Sequence, residues 1–197
     1  MSEIKIICAS GREITEYIPE LAKLRIQVFR EFPYLYDGDL DYEEKYLSTY
    51  TKSSDTVIVL ALDESKVIGA STGLPMEQET GDVQGPFKSA GLNPSEYFYF
   101  GESVLNKKYR GRGLGVRFFE ERERHAKSLG RFKITTFCAV ERPENHPLKP
   151  TNYRNLHQFW RNRGYVHHPE LRTTFTWKDI DHAEEDKKPL SFWLKAL

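Results

Sequence analysis

The densest chemistry in the chain lies in residues 102–115, Glu-Ser-Val-Leu-Asn-Lys-Lys-Tyr-Arg-Gly-Arg-Gly-Leu-Gly. A mainly apolar and aromatic run over 97–105 feeds a basic corner of Lys107, Lys108, Arg110 and Arg112. Gly111, Gly113 and Gly115 then precede a helix-like segment that continues to Leu129. A strand, a glycine-rich turn and a helix start together make an anion site. Glycine lets backbone N–H groups approach a ligand closely, and the first turn of a helix leaves its donors without partners. Glu102, on the strand that leads to the turn, is a candidate proton acceptor, and Glu141, at the end of the next strand, is a second. Glu102 also fits a plainer role as an edge or surface carboxylate paired with a lysine. His125 and His157 sit on helix patterns as packing or surface residues. His146, His167 and His168 show no metal-ligand spacing with cysteines, so no metal is expected.

The elements that must position these groups follow from periodicity. Residues 4–9, 56–62 and 66–74 read as strands, the last two joined by a hairpin turn at 63–65. Between the first and second strands, Leu21, Leu24, Val28 and Phe32 recur at helical spacing. Thr15 or Pro19 starts this helix, and Phe32-Pro33 ends it. Residues 32–50 interleave Phe32, Tyr34, Tyr36, Tyr42, Tyr46 and Tyr50 with Asp37, Asp39, Asp41, Glu43 and Glu44, and a short helix fits about 42–50. Two readings stay open here: an aromatic-packed lid with solvated acids, or a substrate-pocket wall whose acids attract an amine cation. Residues 75–95 hold three glycines and three prolines and read as a long loop, a lid over a site. The helix after Gly115 stops at Gly130, and a strand follows over 131–140. A proline-rich link then leads to a helix over 152–165, capped by Thr151 or Asn152. Its apolar side is Leu156, Phe159 and Trp160, and Gly164 closes it. Residues 165–167 and 171–178 read as a final hairpin, 179–188 as a charged segment, and 189–197 as an edge strand or docked tail. The whole is one α/β domain over 1–197 with a mixed sheet.

Composition excludes several classes. Basic and acidic residues balance at 29 each, which gives no electrostatic reason to expect nucleic acid or a membrane surface. No apolar run approaches the ~20 residues that span a bilayer. Cys8 and Cys138 are too few for a disulfide framework, so both read as buried apolar thiols in a reducing cytoplasm.

Three phosphate-binding readings fail on detail. A P-loop needs a Lys-[Ser/Thr] pair that is absent here. A dinucleotide fold carries its glycines after the first strand, whereas four strands precede this turn. An isolated nucleic-acid patch is disfavoured by the neutral charge balance and the lack of stacking motifs. What remains is Arg110-Gly111-Arg112-Gly113-Leu114-Gly115, which fits [QR]-x-x-G-x-[GA]. With Leu105 on the preceding strand, the Lys107-Lys108-Tyr109 corner and the Arg-Asn-Arg-Gly-Tyr end of the later helix, it resembles the GNAT superfamily of acyl-CoA N-acyltransferases. The element order is similar over nearly the whole chain, and the 143–150 link and 192–194 tail resemble a bacterial-type subgroup.

The resemblance implies a mostly antiparallel central sheet, splayed in the middle and flanked by helices. It implies acetyl-CoA as co-substrate. Backbone N–H groups of 110–115, with Arg110 and Arg112, would meet its pyrophosphate, and the backbone of Val104, Leu105 and Asn106 its pantetheine arm. Glu102 would act as base, although Tyr99 occupies the position where the best-known members carry their strand glutamate. The family's usual tyrosine, four residues before the closing glycine of the last helix, is Trp160 here. An indole is no practical proton donor, so Trp160 would pack against the pantetheine and Tyr153 or a water would stand in as acid. The expected function is direct N-acetyl transfer in a ternary complex to a primary amine of a small molecule or peptide. Tyr34, Tyr36 and Asp37 would line the acceptor pocket. No cysteine lies on the motif strand, which disfavours an acetyl-cysteine route. The resemblance leaves a homodimer open. The rival reading is a non-catalytic acyl-CoA-binding or regulatory domain, and the missing tyrosine is its support.

Overall fold

Runs of Val, Ile and Leu pair in chain order at one edge of the sheet. β1 (Ile4–Ala9), β2 (Val57–Asp63) and β3 (Lys66–Pro75) form an antiparallel meander, turning at Glu64, which takes a positive φ of 56°. The structure, a computed structural model, describes residues 3–197. β3 is where the sheet divides. Its Gly69–Ser71 segment pairs with β5 (Ser103–Leu105), while Leu74 and Pro75 pair with β4 (Tyr97–Tyr99). β4 runs parallel to β6 (Ile134–Val140), and β8 (Glu185–Ala196) lies antiparallel between β6 and β7 (Val166–Lys178). The order is therefore β1-β2-β3-β4-β6-β8-β7, with β5 attached to β3 alone.

The continuous strand expected over 97–105 is thus two short ones. Gly101 explains the break, because a Cβ there would collide with the Tyr50 hydroxyl and lie 2.7 Å from Thr72 Oγ1. On one side of the break, the Phe100 N–H donates to the Thr136 carbonyl at 2.8 Å; on the other, the Glu102 N–H turns to Thr72 Oγ1 at 3.2 Å. One half of the segment stays with β6 and the other half leaves with β3. Arg122, from α4 (Leu114–Ser128), fills the break. It is 1% exposed and donates to the carbonyls of Thr72 and Glu102, both at 3.2 Å, to Ser103 Oγ at 2.9 Å and to the Phe118 carbonyl at 3.1 Å. Its guanidinium lies 4.0 Å from the Phe100 ring centroid.

Helices cover both faces. α1 (Ile18–Phe29), α2 (Leu40–Leu47) and α3 (Gly81–Ser89) shield a layer that includes Leu21, Tyr50, Tyr99, Cys138 and Phe192. α4 and α5 (His157–Arg161) shield the other, with Phe98, Phe118, Phe119, Phe137 and Trp193. No helix is long and apolar enough to cross a membrane.

Several expected boundaries shift for identifiable reasons. α1 has Pro19 in its first turn but stops at Phe29, not Phe32, because the Phe29 carbonyl accepts from Tyr36 N–H as the chain folds back through a cis Phe32-Pro33 bond. The expected loop over 75–95 contains α3, with Pro86 inside it. Proline withholds the N–H that the Asp82 carbonyl would receive, and Thr173 Oγ1 of β7 supplies a hydrogen bond there at 2.6 Å. α5 is five residues long, not fourteen. Asn155 Oδ1 accepts the His157 N–H at 3.1 Å and starts the helix there, so Thr151 and Asn152 cap nothing and Leu156 is exposed. β7 is one strand with a bulge between His168 and Arg172, where Pro169 cannot donate. β8 includes the end of the expected charged segment, from Glu185, and is central rather than an edge, which buries Leu190, Phe192 and Trp193. Cys138 is buried as expected, but Cys8 is exposed on β1, the strand at the sheet's edge.

The Gly101→Ala substitution should destabilise the fold by about 1–3 kcal/mol, since the new methyl must displace Tyr50 or Thr72. Urea denaturation measures it, and a change under ~0.5 kcal/mol would mean that the break does not depend on close approach.

Candidate functional site

The basic corner is built by short-range hydrogen bonds. Asn106 N–H joins the Ile68 carbonyl at 2.9 Å, Asn106 Oδ1 accepts from Lys108 N–H at 3.1 Å, and the Tyr109 hydroxyl donates to Asp63 Oδ2 at 2.6 Å. The chain then turns through Gly111 and Gly113, both at φ 79°, a conformation that side chains rarely tolerate. Space is open where either Cβ would be. Gly115 has a different job: a Cβ there would lie 3.2 Å from Phe159 Cζ, so this glycine seats α4 against α5. The first helix donors with acceptors are Val116 and Arg117, both to the Gly113 carbonyl, at 3.0 and 3.2 Å. The donors ahead of them face outward at the positive end of the helix dipole, and no acidic side chain occupies the first turn. This cradle suits a phosphate group.

The two arginines of the turn differ. Arg110 donates Nε to the Leu105 carbonyl at 3.1 Å and grips Glu31 with both Nη atoms, at 2.8 and 3.0 Å. Arg112 donates to the Lys108 carbonyl at 3.3 Å and lies over the Tyr109 ring. Lys107 and Lys108 are exposed beside them.

Beyond the strand break, on the α1–α2 face, the surroundings are phenolic and acidic. Arg25 of α1 is buried between two carboxylates, Glu43 of α2 and Glu102, with Nη1 2.5 Å from Glu102 Oε1. The Tyr46 ring centroid is 4.7 Å from its guanidinium carbon. Tyr46 and Tyr50 share a hydrogen bond at 3.0 Å, Thr72 Oγ1 donates to the Tyr50 hydroxyl at 3.2 Å, and the Tyr99 hydroxyl is 3.1 Å from Cys138 Sγ. Burial holds the Tyr46, Tyr50 and Tyr99 hydroxyls well above the ordinary phenol range and pushes the Cys138 thiol up to about 12.

Glu102 thus lies at the hinge between the cradle and this pocket, paired to Arg25. Tyr34 is held by its carbonyl, which accepts from Arg142 Nη2 at 2.6 Å and Trp177 Nε1 at 3.0 Å, and burial raises its hydroxyl well above the ordinary range. The Tyr36 hydroxyl bonds Glu43. Asp37 is out on the rim, paired with Arg30 at 3.1 Å and Lys178 at 2.7 Å. Tyr153 is half-buried, its ring edge-on to Phe32 at 4.7 Å. Trp160 packs on the opposite face of the sheet, 5.0 Å from both the Phe137 and Trp193 ring centroids. Glu141 is ion-paired with Arg172. His125 Nε2 meets the Asp55 carbonyl at 2.9 Å, and His157 packs 5.2 Å from Trp193. One grouping among the described residues, Asp179, Asp181 and His182, has metal-ligand proximity, but Asp179 is already bonded to Arg142 and Lys188.

Sequence reasoning did not single out Arg25 or Glu79. Arg25 carried a signal, a charge on the buried stripe between Leu21 and Val28 of an amphipathic helix. Glu79 carried none, since it sits in a segment without periodicity. It is half-buried just beyond β3, and burial, opposed by a hydrogen bond from Thr80 N–H and reinforced by Glu102, raises its pKa to about 6.

The comparisons with known proteins agree with this geometry. Residues 21–165 match the model of the Acetyltransferase (GNAT) family, and the chain belongs to that family. Similar solved structures include an acetyltransferase from Streptococcus agalactiae, 17% identical, covering 100% of both chains at a TM-score of 0.61. A ribosomal-protein-alanine N-acetyltransferase from Brucella melitensis is 13% identical over 98% of this chain and 99% of that one, at a TM-score of 0.64. Arabidopsis thaliana NAA60, solved with a bisubstrate analogue, is 12% identical over 98% of this chain and 99% of that one, at a TM-score of 0.61. At these identities the likeness is one of fold. No sequence among curated proteins matches the chain.

Replacing Arg25 with Met should cost about 3–5 kcal/mol, because Glu43 and Glu102 are then buried without their cation. Chemical denaturation tests this, and a loss below ~1 kcal/mol would show that the carboxylates find water or other partners.

Proposed function

We propose that the protein is an acetyl-CoA-dependent N-acetyltransferase that acetylates a primary amine of a small molecule or peptide, with both substrates bound together. The observation that carries this reading is the divergence of β5 from β6, which opens between the phosphate cradle on one side and the Arg25 pocket on the other. The cradle fits the pyrophosphate by its glycine conformations, its unoccupied donors and its open space. N–H groups of Gly111, Gly113, Leu114 and Gly115 would hold it, with Arg112 and with Arg110 once released from Glu31. The backbone of Val104, Leu105 and Asn106 would hold the pantetheine arm, and acetyl-CoA supplies the acetyl group activated as a thioester.

The chain's own groups favour direct transfer. Cys138 is buried, bonded to Tyr99 and protonated at neutral pH, so it offers no thiolate nucleophile. Tyr34 and Tyr36 wall the acceptor pocket, Glu102 holds negative charge at the opening, and Tyr153 is the candidate proton donor. The printed name of the Brucella neighbour, a ribosomal-protein-alanine N-acetyltransferase, supports including a peptide amine among the acceptors.

Two measurements test the proposal. Free thiol released from acetyl-CoA, followed across alkylamines, arylalkylamines, polyamines and peptides, should show turnover on at least one amine. Confirmed CoA binding without turnover on any would count decisively against it. By calorimetry, Gly113→Val should weaken CoA binding at least ~10-fold, about 1.4 kcal/mol, because a β-branched residue resists φ 79°. Glu31→Gln should tighten it by no more than about fivefold, because the Arg110 pair it removes is exposed and worth about 0.2–1 kcal/mol.

A further inference from the structure

We infer that Glu79 is the catalytic base, the carboxylate that takes the proton from an acceptor amine entering as an ammonium cation. The inference rests on the N-acetyltransferase reading and assigns within it a role that Glu102 is poorly placed to fill. Three carboxylates, Glu43, Glu79 and Glu102, serve the pocket region, against two buried guanidiniums, Arg25 and Arg122. Arg25 is ion-paired with Glu43 and Glu102. Both carboxylates are thus already committed to a buried ion pair. No lysine or arginine pairs with Glu79 among the described residues. The region is left one positive charge short, and an ammonium group supplies it.

Position supports the same residue. β3 carries the chain past the splay to Pro75, and a 3-10 turn (Met76–Gln78) delivers Glu79. Its backbone is pinned at both ends: Glu79 N–H donates to the Met76 carbonyl at 3.0 Å, and Gln84 Nε2 donates to the Glu79 carbonyl at 2.6 Å. Oε2 accepts the Thr80 N–H at 3.1 Å, and Oε1 has no protein donor among the described residues. The charge of Glu79 acts on Tyr46 of α2, Tyr50 of the turn after it, Tyr99 of β4 and Cys138 of β6. Glu102 at the strand break acts back on Glu79. Glu79 is therefore near enough to these five groups for charge to act between them, and burial raises its carboxyl to about 6, toward the range in which a general base works.

The proton inventory closes. One ammonium N–H bond breaks, its electron pair stays on nitrogen, and the proton passes to Glu79. The neutral nitrogen forms the C–N bond to the acetyl carbon as the C–S bond breaks, with its pair going to sulfur. A second proton from nitrogen ends on that sulfur, and Glu79 returns its own to water.

Glu79→Gln tests the role with 2-phenylethylamine and its β,β-difluoro analogue, whose fluorines lower the ammonium pKa toward neutrality. A base is needed for the first amine far more than for the second. The variant should lose about 10²–10⁴-fold in kcat on 2-phenylethylamine and less than about tenfold on the analogue, with CoA affinity by calorimetry unchanged. The ligand-free protein gives a second readout. A carboxyl raised from an ordinary ~4.3 to about 6 adds stability that is complete below the lower value and lost as pH rises through the upper one. The melting temperature of Glu79→Gln relative to wild type should therefore climb between about pH 4 and pH 6, and the Glu79 side-chain carbon should titrate in the same window by NMR. Equal losses on both amines, full activity on the first, or a Glu79 that titrates near ~4.3 would each overturn the assignment. Wild-type protein that binds CoA yet acetylates neither amine, nor any in the wider panel, would instead sink the transferase reading, and Glu79's role with it.

Discussion

Four hydrogen bonds from one buried guanidinium hold the sheet open at its middle. A β-sheet normally satisfies each strand through its neighbours, and a strand that leaves the sheet strands polar groups in the interior. Arg122 resolves this by reaching from α4 to the carbonyls of Thr72 and Glu102, the two residues that flank the departure of β5. Burial lowers its pKa to about 10, still far above neutrality, so the charge persists and each hydrogen bond is charge-assisted. Phe100 and Phe119 complete its surroundings. Both the cradle at the start of α4 and the pocket beside Glu102 take their positions from this junction, because Arg122 is two turns along the helix that the cradle begins.

The pocket side obeys a related constraint. Arg25 is surrounded by carboxylates and aromatic rings, and neither Glu43 nor Glu102 would be tolerable there without it. A guanidinium in a fixed fork can address two carboxylates at once and stack on a ring, which an ammonium cannot. The ion pair joins α1, α2 and the strand break, so one cluster serves both to pack two helices on the sheet and to set the charge of the opening.

Much of this was legible in the chain itself. The strand–glycine–helix arrangement was readable because Gly111 and Gly113 act locally, through backbone conformation, and such demands show in the residues at hand. The alternation in β1, β2 and β3 was equally local. What escaped notice depends on partners far away in sequence. α3 tolerates Pro86 because Thr173, 87 residues later, satisfies the carbonyl that the proline leaves open. Arg25 meets Glu102 across a similar span, and no periodicity connects them. The break at Gly101 hid inside an aromatic run that reads as one strand, since its cause is the Tyr50 hydroxyl from another segment. Trp160 was recognisable as unsuited to proton donation, yet only the packing against Phe137 and Trp193 shows what it does instead.

β8 follows every other strand in chain order and still lies between β6 and β7. On a ribosome, β7 therefore emerges before the strand that will join it to the sheet, and for that interval it has nowhere native to dock. Until β8 arrives, β6 presents a bare inner edge with Phe137 and Cys138 beside it, the kind of surface that invites misassembly. Closure of the β6-β8-β7 half is a late event, whereas β2 and β3, joined by a short turn, can pair as soon as they are made, with β1 already synthesised to join them. The kinetics of this protein should thus be polarised along its sheet, with the half that carries the glycine cradle's strand formed early and the half that walls the opening completed last.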